Sequence, residues 1–156
     1  KQITESVKVM DKEGRILVLD NDTMEFGYRT SIIKNRPFIV LEVVLRMRPG
    51  KKDDIQAKMD ELMAKRRSRQ PLNYPSAGST FKRPEGYFAG KLIMDAGMRG
   101  YRIGDAQVSD KHCGFIVNIG NASAADVREV IEEVQEKVKE RFHVRLEPEV
   151  IFLGDF

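Results

Sequence analysis

The sequence predicts an α+β fold, because strand-like and helix-like patterns both occur along it and do not alternate in a regular order. A hairpin pattern and an apolar run lie within the first fifty residues. Segments with apolar residues at helical spacing follow. The chain has 156 residues, of which 41% are hydrophobic and 33% are charged, and this composition is typical of a globular domain.

The first fifty residues predict a β-rich segment. Val7 and Val9 share one face of a first strand, and the tetrapeptide Asp11–Gly14 has Asp and Gly at the positions that a β-turn favours. A second strand follows this turn. After a loop and a short helix, a third strand is predicted over residues 38–47. Pro49 and Gly50 end it, and we expect a domain boundary there, after residue 48.

The segment after Gly50 predicts three helices and three further strands. Helical spacing of apolar residues is clearest in the third helix, at whose start Ser123 and Asp126 have the spacing of a capping box. The first helix carries Asp at its start and Lys and Arg at its end, as the helix dipole favours. The first two predicted helices cover residues 53–68 and 87–96, and the apolar stripe of the third covers residues 127–142. The predicted strands cover residues 101–108, 114–119 and 144–153.

The charge and cysteine content limit the kinds of site that the sequence indicates. With 27 basic and 24 acidic residues the net charge is +3, which is too balanced to indicate nucleic-acid binding. A single cysteine excludes an internal disulfide and a multi-cysteine metal site.

The first residues lack the apolar core of a signal peptide, and no apolar run is long enough to span a membrane. We therefore expect a cytoplasmic protein without membrane insertion.

A stretch without acidic residues is the first candidate binding segment. Residues 62–84 contain six Lys and Arg and no Asp or Glu. Ser79 lies there in a run of small residues that would let the backbone approach a ligand closely. Lys82 and Arg83 follow it. The stretch suits an anionic ligand such as a diphosphate, although a surface loop after a cationic helix end has the same composition.

Three further places carry side chains that could act on a ligand. Tyr28 could stack on a ligand, and Arg29 could hold a carboxylate by two hydrogen bonds. Glu149 belongs to the motif Glu147-Pro148-Glu149 in the last predicted strand, where a carboxylate can serve as an acid, a base or an orienting group. We interpret His112 as a hydrogen-bond donor, because no second cluster of His and Cys indicates a metal. Each pattern is also compatible with an ordinary role at a solvated surface.

Five motifs follow one another along the chain: Gly27–Ser31, Ser76–Pro84, Gly90–Ile93, Val108–Asn118 and Leu146–Val150. Their order resembles that of one family, the UDP-N-acetylenolpyruvoylglucosamine reductases, also called UDP-N-acetylmuramate dehydrogenases. The resemblance covers nearly the whole chain from about residue 26. The short segment before Ser79 and the Lys82-Arg83-Pro84 ending resemble the second type of the family, which lacks an inserted tyrosine-bearing subdomain.

This resemblance implies a domain organisation. In the family, two N-terminal subdomains bind FAD and a C-terminal domain binds the UDP-sugar. Residues 1–48 resemble the tail of the second FAD-binding subdomain, and residues 49–156 resemble the small α+β substrate-binding domain. No glycine-rich pyrophosphate segment is present. The sequence therefore resembles a C-terminal portion whose main FAD site is expected in an N-terminal half.

The resemblance also implies a reaction of peptidoglycan synthesis. NADPH reduces FAD, and a hydride then passes to C3 of the enolpyruvyl group of UDP-N-acetylglucosamine enolpyruvate, while C2 is protonated to give UDP-N-acetylmuramate. Ser79 would donate the proton to C2. Arg29 and Glu149 would flank the substrate carboxylate. The resemblance assigns substrate contacts to Tyr28, Lys82, Arg83 and His112.

Two other functions remain open at the level of sequence. A different flavin oxidoreductase with a related FAD domain should lack the combination of Arg29, Ser79 and Glu149. A non-enzymatic anion- or RNA-binding domain could use the cations between Lys65 and Arg83. Such a domain would bind any polyanion in a strongly salt-dependent manner, whereas the family resemblance predicts a preference for UDP-sugars.

Overall fold

The computed structural model of the chain describes residues 1–154 and divides into two compact units. The first unit covers Lys1–Ile55, and the second begins at Gln56. The sequence predicts a boundary after residue 48 between an FAD-binding part and a substrate-binding part. This boundary stays a prediction. The combination of helices with antiparallel sheets confirms the α+β class. None of the helices described between residues 1 and 154 is both long and apolar enough to cross a membrane.

A three-stranded antiparallel sheet forms the first unit, with the strands in the order β2-β1-β3. Strand β1 covers Thr4–Met10, β2 covers Ile16–Asp20, and β3 covers Ile39–Leu45. The turn expected after β1 is confirmed, since the Gly14 amide donates to the Asp11 carbonyl at 3.0 Å.

One face of this sheet is covered by the segment between β2 and β3. Val7, Val9 and Met24 are buried together, and Phe26 and Phe38 pack against them. The expected short helix in this segment is a single 3₁₀ turn, Ile32–Lys34. Strand β3 is different, because all seven of its residues are exposed although six of them are apolar.

Asp11 has a buried carboxylate that organises the first hairpin. It accepts the amide N–H of Arg15 at 2.8 Å and that of Glu13 at 3.0 Å, and the Arg15 Nε at 2.7 Å. Burial by itself raises the pKa of this carboxyl group, but the backbone and guanidinium donors outweigh it. The net result is a lowered pKa, so the hairpin is stabilised by the charged form.

The long helix α1, Lys52–Arg69, confirms the first helix expected from the sequence. Asp53 and Asp54 lie in its first turn, and basic residues lie in its last turn. This charge distribution complements the helix dipole. The apolar side chains at helical spacing along this helix, among them Ile55 and Met59, are exposed.

A four-stranded antiparallel sheet and two helices form the second unit. The strands lie in the order β4-β7-β6-β5. Helix α3 packs on β5, β6 and β7, and helix α2 packs on α3. Buried side chains from both helices and from the sheet, such as Ile93, Val108 and Val134, form one apolar core. The elements are β4 (Ser76–Ser79), α2 (Ala89–Asp95), β5 (Arg102–Ile103), β6 (Ala106–Val108), β7 (Phe115–Asn118) and α3 (Ala124–Phe142).

Helix α3 follows the sequence pattern closely. The Ser123 side chain accepts from the Asp126 amide at 3.1 Å, and the Asp126 side chain accepts from the Ser123 amide at 2.8 Å. This is the expected capping box with Asp in place of Glu. Val130 and Val138 lie on the buried stripe.

Two of the expected strands are wrong in detail. Residues 101–108 form the hairpin β5–β6 instead of one strand. Residues 144–153 form no strand and make only an isolated bridge, from Pro148 to Phe81. Helix α2 is also shorter than expected, because Phe88 is extended (φ −116°, ψ 117°) and the helix begins at Ala89.

Candidate functional site

Ser79 lies at the end of edge strand β4 with its hydroxyl only weakly engaged. Strand β4 pairs with β7, and Ser79 lies opposite Phe115. The Ser79 Oγ donates to the Phe81 carbonyl oxygen at 3.4 Å, which is long for a hydroxyl hydrogen bond. The residue is exposed. Its hydroxyl can therefore turn towards a ligand at little cost.

Thr80 fixes the backbone next to Ser79. It is only 2% exposed. Its amide donates to the Gly114 carbonyl at 2.8 Å, and its Oγ1 accepts from the buried Ile116 amide at 3.1 Å. Two bonds from one residue thus join the end of β4 to the start of β7.

The segment that carries Glu149 is held beside Thr80. The Glu149 amide donates to the Thr80 carbonyl at 2.8 Å, and the Lys82 amide donates to the Glu147 carbonyl at 2.9 Å. The bridge between Phe81 and Pro148 lies between these two bonds. Glu149 is half-buried, and its Oε2 is shielded from solvent. The structure therefore brings the backbone segments of Ser79 and Glu149 side by side.

His112 sits in a tight turn with its ring held in place. The amides of Lys111 and His112 donate to the buried Ser109 hydroxyl at 3.2 and 3.4 Å, which shapes the turn. The His112 ring makes an edge contact with Phe115, with ring centres 5.1 Å apart. The Gly114 amide donates to Nδ1 at 3.1 Å. Because Nδ1 is an acceptor, the proton of the neutral ring lies on Nε2, so Nε2 is a donor.

The close approach of this ring explains two glycines. A Cβ on Gly114 would lie 2.9 Å from the His112 Cε1, and a Cβ on Gly90 would lie 3.1 Å from the same atom. Real Cβ atoms do not tolerate the first distance, so a side chain at position 114 would push the imidazole away. The two glycines therefore maintain the donor geometry of His112.

The two cations after Ser79 are held by different partners. Lys82 forms an ion pair with Glu147 on the neighbouring segment. Arg83 donates from Nε to the Tyr87 carbonyl at 3.2 Å, and its guanidinium carbon lies 4.1 Å from the centre of the Phe88 ring. The acid-free stretch is thus partly neutralised by carboxylates outside it. Glu61 likewise pairs with Lys65.

Tyr28 and Arg29 belong to the first unit, where they form the tip of a tight turn. The Gly27 amide donates to the Thr30 carbonyl at 3.0 Å and closes this turn. Tyr28 is 85% exposed, and Arg29 is also exposed. The backbone of Arg29 is left-handed (φ 55°), which is uncommon for a residue with a side chain. Strained backbone of this kind is found at ligand sites, although His143 adopts it at the end of α3 (φ 57°).

The structure thus groups most, but not all, of the expected site residues. Ser79, Lys82, Arg83, His112 and Glu149 lie in the second unit, whereas Tyr28 and Arg29 lie in the first. The sequence did not reveal the roles of Thr80, Glu147 and Phe88. A signal existed for Phe88, since an aromatic residue five positions after an arginine and just before a helix can cover the guanidinium. Thr80 and Glu147 lie within the motifs Ser76–Pro84 and Leu146–Val150, but nothing in the sequence indicated the contacts that they make.

Neither metal nor thiol chemistry is indicated. Between residues 1 and 154, no group of three or more His, Cys, Asp or Glu side chains could hold a metal ion. Cys113 is buried, and burial raises the pKa of its thiol. The neutral thiol is a poor nucleophile. The side chains available for chemistry are therefore a hydroxyl, carboxylates, an imidazole and guanidinium groups.

A groove of about 300 Å³ lies on the side of the second sheet that faces α3. Thr80 lines it, but none of the expected catalytic or substrate-binding residues does. Its lining is mostly apolar. The lining residues are Pro75, Ser76, Ala77, Thr80, Ile116, Asn118, Val127, Ile131 and Val150.

Comparison with known proteins connects this geometry to one family. Residues 70–153 match the family described as UDP-N-acetylenolpyruvoylglucosamine reductase, C-terminal domain. This match contains β4, the His112 turn and Glu149.

Relatives and a solved structure agree with this match. A UDP-N-acetylenolpyruvoylglucosamine reductase of Lachnoclostridium phytofermentans is 53% identical over 99% of this chain and 50% of its own length. One from Agathobacter rectalis is 54% identical over 100% of this chain and 50% of its own length. The crystal structure of the Thermus caldophilus reductase superposes with a TM-score of 0.78 at 36% identity, over 94% of this chain and 51% of that one. The chain spans about half the length of these relatives.

Proposed function

The chain belongs to the UDP-N-acetylenolpyruvoylglucosamine reductase family, and we propose that it supplies the substrate-binding and proton-donating part of such an enzyme. The reaction would be the reduction of UDP-N-acetylglucosamine enolpyruvate to UDP-N-acetylmuramate in peptidoglycan synthesis. One observation carries this proposal. Thr80 lies next to Ser79 and accepts the Glu149 amide at 2.8 Å, so a hydroxyl and a carboxylate are held on adjoining backbone.

Ser79 and Glu149 suit the two demands of this reaction. Reduction of the enolpyruvyl double bond adds a hydride at C3 and a proton at C2, and negative charge develops at C2 and on the adjoining carboxylate. The weakly engaged Ser79 hydroxyl can give its proton to C2, because a carbanionic centre is far more basic than water. Glu149 can orient the substrate carboxyl group and favour its enol-like form.

Arg29 would meet the negative charge that develops on the substrate carboxylate. A guanidinium group can donate two parallel hydrogen bonds to a carboxylate, and donors that are already positioned stabilise a transition state most. The left-handed backbone of Arg29 supports such a role. Tyr28, on the same turn, would contact the substrate.

Three side chains of the second unit would bind the UDP-sugar. The His112 Nε2–H is a donor whose direction is set by the bond from Gly114 to Nδ1. Arg83 supplies a permanent positive charge for a diphosphate. Lys82 is neutralised by Glu147 and would contribute less.

FAD would supply the hydride and NADPH the electrons, as the family resemblance implies. The first unit presents a groove of about 320 Å³ lined by Lys1, Gln2, Asn21, Asp22, Glu25 and Phe26. The carboxylates of Asp22 and Glu25 would repel the diphosphate of FAD, so this groove does not fit the cofactor. We assign flavin binding to the part of the relatives' length that this chain does not span.

A chimeric enzyme tests the proposal. The chain replaces the matching half of the Agathobacter rectalis relative, which is 54% identical over that half. We expect oxidation of NADPH that depends on UDP-N-acetylglucosamine enolpyruvate. A chimera that folds and holds flavin but shows no such oxidation would contradict the proposed function.

The role of Ser79 is tested in the same chimera by stopped-flow absorbance of the flavin. Ser79→Ala should leave reduction by NADPH near the wild-type rate, because that step does not involve the enolpyruvyl group. Reoxidation by substrate should slow by roughly 10²–10⁴-fold, the usual effect of losing a general acid. Ser76→Ala, on the same strand, is the control and should change neither step. Equal slowing of both steps would remove Ser79 from the proton-donor role.

A further inference from the structure

Arg83 is fixed by the turn that follows it. The Tyr87 amide donates to the Pro84 carbonyl at 3.2 Å and closes a turn over Pro84–Tyr87. This turn brings the Tyr87 carbonyl back to Arg83, where it accepts the Nε proton at 3.2 Å. One edge of the guanidinium group is therefore occupied by the backbone.

Phe88 occupies one face of the same group. The guanidinium carbon of Arg83 lies 4.1 Å above the ring centre, well within the range of a cation–π contact. The ring itself is 61% exposed and does not belong to the apolar core of the second unit. A phenyl ring this exposed contributes little to an apolar core. Core packing therefore does not explain why phenylalanine occupies position 88.

The position of the ring is set by a rigid element. The Phe88 carbonyl accepts the amides of Lys91 and Leu92 at 3.0 and 3.1 Å, and these bonds begin helix α2. Leu92 and Ile93 anchor that helix in the core. The ring is thus attached to a fixed helix start, whereas Arg83 has a long and flexible side chain.

These contacts leave one edge of Arg83 available. Between residues 1 and 154, neither terminal Nη nitrogen of Arg83 makes a hydrogen bond. Two parallel N–H groups on one edge match a pair of oxygens on an anion. With its Nε bonded and one face covered, the guanidinium would lose little rotational freedom when it binds such a pair.

We propose that Phe88 is a positioning residue, which stacks on Arg83 and holds its Nη edge ready for an anionic group of the ligand. The role of Arg83 in binding a UDP-sugar rests on the proposed function. The stacking role of Phe88 rests on the contacts described above. Phe88 acts through Arg83 and does not itself bind the ligand.

Side-chain relaxation in the full 156-residue chain tests the positioning directly. The ¹⁵Nε–H group of Arg83 should be rigid in the wild type and in Phe88→Tyr, because tyrosine keeps the aromatic face. It should become mobile in Phe88→Leu, which keeps apolar bulk but has no π face. Backbone amide spectra report whether each variant is folded. Equal rigidity of Arg83 in Phe88→Leu would overturn the proposal.

Titration with UDP-N-acetylglucosamine tests whether the positioning affects binding. We expect Phe88→Leu to weaken binding by about two- to fivefold, the size of an exposed cation–π contact, and Phe88→Tyr to restore it. Beside Arg83→Ala, the leucine substitution should have no additional effect. A further loss in the double variant would show that Phe88 acts independently of Arg83 and would refute its positioning role.

Failure of the proposed function gives a different result. In that case neither the wild-type chain nor the chimera would bind UDP-sugars. The relaxation of the Arg83 side chain alone would then decide the role of Phe88. Mobility gained in Phe88→Leu would then still support the positioning role, and unchanged rigidity would reject it.

Discussion

Replacing Thr80 by valine tests the junction that holds the candidate site. Valine has nearly the shape of threonine and removes only the hydroxyl group. The buried Ile116 amide, which donates to Thr80 Oγ1 at 3.1 Å, would lose its acceptor. An unsatisfied buried amide costs about 1–3 kcal/mol. We expect the free energy of unfolding of the second unit to fall by about this amount.

Hydrogen exchange shows where this loss arises. At about 1.4 kcal/mol for each factor of ten, the Ile116 amide should exchange roughly five- to 150-fold faster in Thr80→Val. Urea unfolding followed by circular dichroism gives the accompanying change in stability. The amides of α3 keep their acceptors, so their exchange should become faster only by the factor that corresponds to the loss of global stability.

Two variants complete the experiment. Thr80→Ser keeps the hydroxyl group and should preserve the protection of the Ile116 amide, although it loses a buried methyl group. Thr30→Val makes the same chemical change at an exposed position and should alter stability little. If Thr80→Val left both the exchange of Ile116 and the stability unchanged, Oγ1 would not be the acceptor that joins the two strands.

Three further changes probe other parts of the chain. Gly114→Ala should displace the His112 ring, since the new Cβ would lie 2.9 Å from its Cε1, and calorimetry should show UDP-N-acetylglucosamine binding as weak as in His112→Ala. Glu149→Gln, in the chimeric enzyme, should slow flavin reoxidation by substrate and spare reduction by NADPH. Asp11 has a lowered pKa, so its stabilisation is present above about pH 3.9, the ordinary Asp value, and is lost as the pH falls through the lower folded-state pKa. Asp11→Asn should therefore flatten the acid dependence of the urea midpoint, and an unchanged pH profile would contradict this assignment.

The sequence predicted those elements whose causes are local. Helix α3 has both an apolar stripe and a capping box within its own residues. The first hairpin has Asp and Gly at the turn positions, and both side-chain and backbone bonds stabilise that turn. In elements of this kind, the residues that determine the start, the periodicity and the end all lie within the element itself.

The sequence was misleading where pairing depends on distant residues. Residues 144–153 are rich in apolar side chains, but Pro148 has no N–H to donate. Single backbone hydrogen bonds on either side of it connect the segment to residues 80–82. The hairpin β5–β6 turns at Gly104 and Asp105, a pair that is common in turns and that a strand assignment overlooks.

The candidate site shows the same division between features with local causes and features that depend on distant residues. The identity of its side chains, Ser79 and Glu149 among them, followed from the motifs and the family resemblance. The bond that joins their segments, from the Glu149 amide to the Thr80 carbonyl, links positions far apart along the chain and left no pattern in either. The stacking of Arg83 on Phe88 is local by comparison, but it depends on the turn between the two residues.

Strand β3 has a consequence for the behaviour of the protein in concentrated solution. Its seven residues, Ile39–Leu45, include six β-branched or leucine side chains, no proline and no glycine, and they lie exposed at the edge of their sheet. Segments of this composition can stack into cross-β fibrils. Glu42 is the one charge that interrupts the run, and it pairs with Lys8 at 2.8 Å. We therefore expect Glu42 to act as a gatekeeper against fibril growth.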